Sequence, residues 1–270
     1  MQLFGEYHYG TEIIELPTPG NNYGNSPALP IVENEHLPDE EMLAVSTDTQ
    51  FWFRWITGHQ VILGLWNILG NELSHNVPSS DEQSLNRCIQ MFKASSVIFN
   101  YTGSCPHDFY HEKIRIFMSL FHGGFSGMWA ADYRHIPRLI QKITRATTQP
   151  EMQAIQQELK KAYEDSHLTH IEVAKRLVPE GESLLKKAKK EGLKHKKIKK
   201  THSMIYDCFF LIHRNSISKE VLIESLDRRV EAIVTDLEKT PFLPPLHNSD
   251  AIKTLQKTMA MIKKGIATKL

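Results

Sequence analysis

From about residue 40 to the end of the chain, apolar residues recur every third or fourth position, a spacing that gathers them on one side of an α-helix. No stretch in this body keeps the strict alternation of a half-buried strand. The pattern predicts helices over 39–76, 80–100, 108–121, 134–148, 150–178, 201–214, 218–238 and 248–268. Ser80-Asp81-Glu82-Gln83 supplies a cap and an acidic first turn for the second of these, and Pro150 with Glu151 opens the fifth. Pro179 and Gly181 end that helix, while Gly123, Gly124 and Gly127 break the third. The segment from Ser126 to Asp132 therefore reads as a loop, placing Trp129 and Tyr133 away from regular packing. Pro17, Pro19, Pro27, Pro30 and Pro38 make residues 1–40 an extended arm that wraps the body. The expected fold class is all-α, a helical bundle over 41–270 preceded by the arm.

Composition narrows the functional classes. With 270 residues, 41% hydrophobic content and a formal charge of +1, the chain is globular and carries no global attraction for polyanions. The most apolar stretch, Phe51 to Gly70, contains Arg54, His59, Gln60 and Asn67, which argues against a membrane partner. Met1 to Glu6 has neither a basic nor an apolar leader character, and Cys88, Cys105 and Cys208 match no zinc or disulfide-exchange spacing, so a cytoplasmic location is expected. Nine lysines between Lys186 and Lys200 form a solvated face or linker; no aromatic residues alternate with them, and no nucleic-acid partner is expected.

The candidate chemistry begins with His59. Counting by helical turns, its neighbours are Trp55, Ile56, Ile62, Leu63 and Trp66, so the imidazole sits on an apolar, tryptophan-rich face. Burial without a partner would be costly, so something polar must meet it: a backbone carbonyl, another side chain, a water, a metal or a ligand. His170 is the second such residue. Ser166 and His167 precede it on its helix face, with Val173, Ala174 and Leu177 beyond, leaving little bulk around the imidazole and room for a flat macrocycle. The alternative for His170 is an ordinary amphipathic-helix histidine at the surface.

His59-Gln60 followed by an apolar run to Trp66 resembles the distal-histidine helix of the tryptophan 2,3-dioxygenases. His170, with Arg176 and Val178 after it, resembles the pattern after their proximal histidine, and Tyr9-Gly10 and Phe125-Ser126-Gly127 are weaker likenesses. Tyr101 to Ser104, Phe125 to Arg134 and Val178 to Leu185 are more similar to the bacterial haem-dependent tyrosine hydroxylases, members of the same histidine-ligated superfamily. Pro179 to Leu185 stands where the dioxygenases carry a glycine- and serine-rich substrate loop, so tryptophan ring cleavage is disfavoured.

This resemblance implies a dioxygenase-like helical bundle and haem b, with His170 as the iron ligand. Trp55, Trp66, Val173 and Ala174 would press on the macrocycle, and His59 would act as acid or base toward the oxidant. The implied substrate is L-tyrosine or a close phenolic analogue, with hydrogen peroxide or dioxygen as oxygen source. Its carboxylate would need a guanidinium: Arg115 is the first candidate and Arg134 the second, with Ser126, Trp129 and Tyr133 lining the substrate cavity. A homodimer that exchanges the arm is expected. Two other classes remain open at this stage. A diiron oxygenase would need paired Glu-x-x-His motifs, and Glu164 with His167 supplies that separation once. A non-catalytic haem or small-ligand binding protein would need only the cavity. No chemistry is assigned to Cys105 and His107.

Overall fold

The helix bearing His59 is the centre of the molecule because it is apolar nearly all round. In a computed structural model, which describes residues 12–20, 22–26, 47–77, 81–146, 150–179, 181–192, 198–240 and 248–267, it runs from Thr47 to His75 (α1). All but one of the residues from Phe53 to Leu69 are buried in it, the burial expected of a helix with no polar face. Around it lie α2 (Glu82–Thr102), α3 (His107–Phe109), a π-helical turn (Tyr110–Ile114) and α4 (Arg115–Phe121). Next come a short 3-10 turn (Gly127–Trp129), α5 (Ile136–Arg145), α6 (Pro150–Leu177), α7 (Leu184–Lys190) and α8 (Lys200–Phe209). The chain closes with α9 (Lys219–Lys239) and α10 (Asn248–Ala267), so the described residues are mostly helical, as the periodicity predicts.

α1 packs against α2, α5 and α9, and α2 packs in turn against α6 and α10. Two glycines set the closest of these approaches. A Cβ on Gly58 would lie 2.2 Å from Thr102 Cγ2, and one on Gly103 would lie 2.3 Å from Val173 Cγ1. Only hydrogen at those positions lets α1, the C-terminus of α2 and α6 come this close. Asp81 caps α2 by accepting from the Gln83 and Ser84 amides, and Ser218 caps α9 by accepting from Val221.

Several expectations are corrected. The helix expected over 201–214 stops at Phe209; Leu211 takes a φ of 55°, and the chain leaves as a short strand, β2 (Ile212–Arg214). β2 pairs in parallel with β1 (Ile14–Leu16), with Ile14 opposite Ile212 and Leu16 opposite Arg214. Three-residue strands are too short to show a period, which is why neither was visible. The described part of the arm does not simply wrap the body: Ile14 and Leu16 are fully buried in its core. The helix expected over 108–121 is interrupted by the π turn, and the one expected from 134 begins at Ile136. Trp129 is not set apart from packing but is 3% exposed in the core. Tyr9, Gly10 and Ser80 lie outside the described residues.

Polar clusters fasten these pieces. Arg214 donates to both carboxylate oxygens of Asp132 at 3.0 and 2.7 Å, to Asp207 and to the Pro17 carbonyl. Asn67 on α1 donates to Asp132 and to the same Pro17 carbonyl. The loop after the 3-10 turn, the arm and the central helix are thus joined at one buried carboxylate. No helix among the described residues is long and apolar enough to cross a membrane.

Candidate functional site

His59 sits two turns into the buried part of α1, where its ring Nδ1 is 2.6 Å from the Trp55 carbonyl. A carbonyl can only accept, so Nδ1 carries the proton and Nε2 holds a lone pair. Burial pushes the imidazole pKa down to about 4; the Trp55 carbonyl opposes this, and charge on His170 adds to it. At neutral pH His59 is therefore a neutral base with Nε2 free, and no protein hydrogen bond reaches that nitrogen among the described residues. Phe210 lies flat on the ring, 4.1 Å between centroids and 15° between planes, and Trp55 leans on it at 4.5 Å.

The π turn brings a further residue to this wall. Tyr110 packs on Trp55 at 5.6 Å, and its hydroxyl has no protein partner among the described residues. Burial raises its pKa to about 12, so it is a hydrogen-bond donor at any ordinary pH. The wide turn rotates the side chains before it relative to those after it, and single π turns of this kind recur at functional sites. The Trp55 indole N–H is likewise buried without an acceptor among the described residues.

His170, on α6, is close enough for its charge to act on His59. Its ring meets Phe99 of α2 at 4.8 Å; Phe99 meets Trp66 at 6.0 Å, and Trp66 meets Tyr133 at 4.6 Å. Water reaches the His170 side chain, yet desolvation still lowers its pKa, with His167 adding to the effect. With its pKa lowered, this imidazole is neutral at pH 7. No protein acceptor orients its second nitrogen among the described residues.

Ring contacts thus join His59 to Trp55 and Phe210 on one side, and His170 through Phe99 and Trp66 to Tyr133 on the other, while Ala174, one turn beyond His170, is exposed on α6. Other predicted site residues stand elsewhere. Val173 is 6% exposed and turned onto Gly103, where helix packing occupies it. Ser126 caps the 3-10 turn by accepting from the Met128 amide. Trp129 stacks on His202 at 4.6 Å and 10°, with the Phe125 ring between it and Phe210. Arg134 is exposed and donates to Ser203 Oγ at 2.9 Å. Arg115 lies nearer, with a favourable charge effect on Tyr110, and donates to the Glu182 carbonyl at 2.7 Å. Phe99, Tyr110 and Phe210 were missed as site residues. Phe99 falls in the apolar periodicity of its helix, but nothing in the sequence marks the π turn or the kink after Phe210.

Glu164 pairs with Lys160 on the exposed side of α6, and among the described residues no group of three or more His, Cys, Asp or Glu is placed to hold a metal ion. The clustered-carboxylate arrangement of a diiron oxygenase has no counterpart there.

The described residues thus define a mostly helical protein whose central helix carries a histidine enclosed by aromatic rings. A family model described as SfmD 3-methyl-L-tyrosine peroxygenase matches residues 13–162, more than half of the chain. The chain belongs to that family of tyrosine-modifying peroxygenases. The matched span contains β1, His59, the π turn and the loop to Tyr133, and it ends within α6 before His170. No curated protein matches the chain.

Proposed function

We propose that the protein is a haem-dependent peroxygenase that hydroxylates the aromatic ring of L-tyrosine or a closely related phenolic amino acid. The observation that carries this reading is the pair of neutral imidazoles, His59 and His170, on different helices and each against aromatic rings. The residues present fit a haem. His170 has a ring nitrogen free to ligate iron, and Ala174, one turn on along the same helix, adds no bulk beside it. Trp66 and Phe99 are flat apolar surfaces next to His170. The Trp55 N–H is a buried donor without a protein partner among the described residues, and leaving it unpaired costs about 1–3 kcal/mol. Oxygen atoms of a bound cofactor or substrate would remove that cost.

Bound haem would supply the oxidising power, drawn from hydrogen peroxide. The chain's own residues do the rest. His59 Nε2 takes a proton from the peroxide or from the substrate phenol and can return it, a role that requires the neutral form. Trp55, Phe210 and Trp66 keep water from the reacting ring, which preserves the strength of these polar contacts. Arg115, whose charge reaches Tyr110, would receive the substrate carboxylate, and the Tyr133 hydroxyl would offer a further polar contact.

The test is the absorption spectrum of protein produced with added haem precursor, together with haem titration of three proteins: wild type, His170→Ala and His59→Ala. A stoichiometric Soret band in the wild type, lost in His170→Ala, is expected. His59→Ala should keep the band and lose about 10²–10⁴-fold in turnover of tyrosine with peroxide. A wild type that fails to bind haem on titration, or a His170→Ala protein with an unchanged histidine-ligated spectrum, would overturn the assignment.

A further inference from the structure

The residue after His59 anchors two distant segments at the same place. Gln60 is 1% exposed; its Nε2 donates to the Glu12 carbonyl at 2.8 Å and to the Phe210 carbonyl at 3.0 Å. Its Oε1 accepts from Arg229 Nε at 2.9 Å. Arg229, 5% exposed on α9, donates onward to the Ser225 carbonyl and hydroxyl and to the Ile13 carbonyl. Among the described residues its only close carboxylate is Glu12, at 3.9 Å. Most of the partners of this buried guanidinium are neutral, an arrangement that stabilises a fold poorly compared with apolar packing of the same volume.

What the cluster holds explains its presence. The Phe210 carbonyl lies at the C-terminus of α8, where the next residue turns to a left-handed φ and no helical N–H follows to receive from. Gln60 fills that vacancy and fixes the backbone of Phe210, whose ring lies parallel on His59 at 4.1 Å. Arg229 in turn fixes the Gln60 amide, so that its N–H side faces Phe210 and Glu12 and its oxygen faces α9.

We propose that Gln60 and Arg229 are positioning residues for His59: they hold the Phe210 ring flat against the imidazole, and this plate, with the Trp55 carbonyl on Nδ1, sets the direction of Nε2. The functional consequence rests on the reading of His59 as acid and base. The positioning itself belongs to the polypeptide and is present without cofactor. Through β1, the same clamp makes the N-terminal segment part of the support of the site, since Glu12 and Ile13 supply carbonyls to it.

The experiment uses the full chain labelled with ¹³C at histidine Cε1, without haem, and follows the His59 signal, identified by its loss in His59→Gln. A ring lying under an aromatic face gives a signal displaced by that face. Gln60→Met removes the amide at nearly constant volume and should move the His59 signal toward the position of an exposed histidine and broaden it, leaving His213 unmoved. Phe210→Leu should do the same, while Phe210→Tyr, which keeps the ring, should restore the native signal. In haem-loaded protein, Gln60→Met and Phe210→Leu should each lower kcat about 10- to 100-fold with KM little changed. The double variant should be no worse than either one. An unmoved His59 signal in folded Gln60→Met, or full additivity of the two substitutions, would overturn the proposal. Should haem fail to bind, the signal of the haem-free chain still decides it.

Discussion

The depressed pKa of His59 makes a quantitative statement about stability. An unfolded histidine titrates near 6.5, whereas burial holds His59 at about 4, so the folded chain binds this proton less tightly than the unfolded chain. As pH falls below about 6.5 the unfolded state gains a proton that the folded state refuses, and stability declines until the folded imidazole titrates as well. The stabilisation is thus complete above the unfolded pKa and is lost as pH falls through the folded one. A gap of about 2.5 pH units, at about 1.4 kcal/mol each, gives a loss of about 2 kcal/mol by pH 5 and about 3 kcal/mol by pH 4. The perturbation is His59→Leu, which removes the titrating group and keeps an apolar filling. Urea unfolding of the two haem-free proteins, followed by circular dichroism from pH 7.5 to 4, gives a difference curve in which the other carboxylates and histidines largely cancel. The lost Trp55 contact and altered packing add a pH-independent offset. The slope of the curve is the observable: between pH 7.5 and 5 the wild type should lose about 2 kcal/mol more than the variant. Parallel pH profiles would show that the imidazole is solvated in the folded chain, and would remove the neutral-base argument with it.

Two further outcomes test the framework around the site. Asp132→Asn leaves Arg214 with Asp207 alone and turns an amide toward the guanidinium inside a site where the native carboxylate has no exposure, so a loss of about 3–5 kcal/mol in urea unfolding is expected. A loss under about 1 kcal/mol would mean that the cluster does not anchor the arm and loop. Thiol labelling distinguishes the cysteines: burial raises the thiol pKa of Cys88, and that of Cys105 to about 12, while Cys208 is exposed. Ellman's reagent at pH 8 should therefore find one fast thiol, absent from Cys208→Ser, with the other two reacting only on unfolding; a second fast thiol would contradict the burial of that cysteine.

Long elements were legible in the sequence and short ones were not. α1, α2, α6, α9 and α10 follow from apolar spacing because each repeats its face over many turns. β1, β2 and the π turn have no room for a repeat, and all are fixed by partners far along the chain, as Ile14 is by Ile212. The same division runs through the site. His59 stood out because an imidazole contrasts with tryptophan and isoleucine on either side. Phe210 and Tyr110 did not, because an aromatic residue among apolar ones looks like core; their place beside His59 comes from a helix end and a widened turn. Val173 was read on the right helix, but the rotation of that helix about its own axis, which turns the side chain onto Gly103, was not legible; Trp129 was read in a loop clear of packing and Arg134 on a helix, whereas a 3-10 turn and the turn before α5 send them to His202 and Ser203.

The polar residues of α1 separate structure from function. Arg54 binds Asp236 and the Thr240 carbonyl; Gln60 binds Glu12, Phe210 and Arg229; Asn67 binds Pro17 and Asp132; Glu72 binds Ser84, Arg87 and Lys219. Each of these residues therefore ties a distant segment to the central helix, which is reason enough for a polar side chain in an apolar helix. His59 ties nothing distant. Among the described residues its one side-chain hydrogen bond goes to the carbonyl a single turn back on its own helix, which is already the acceptor position of the helical ladder. A leucine there would satisfy packing at lower cost, since it carries no ring nitrogen to desolvate. What the imidazole adds is Nε2, unprotonated and directed away from α1, and Phe210, held by Gln60, fixes the plane of the ring that carries it. An expensive side chain that joins no parts of the fold and is held by its neighbours is, on the proposed reading, kept for the chemistry of its free nitrogen.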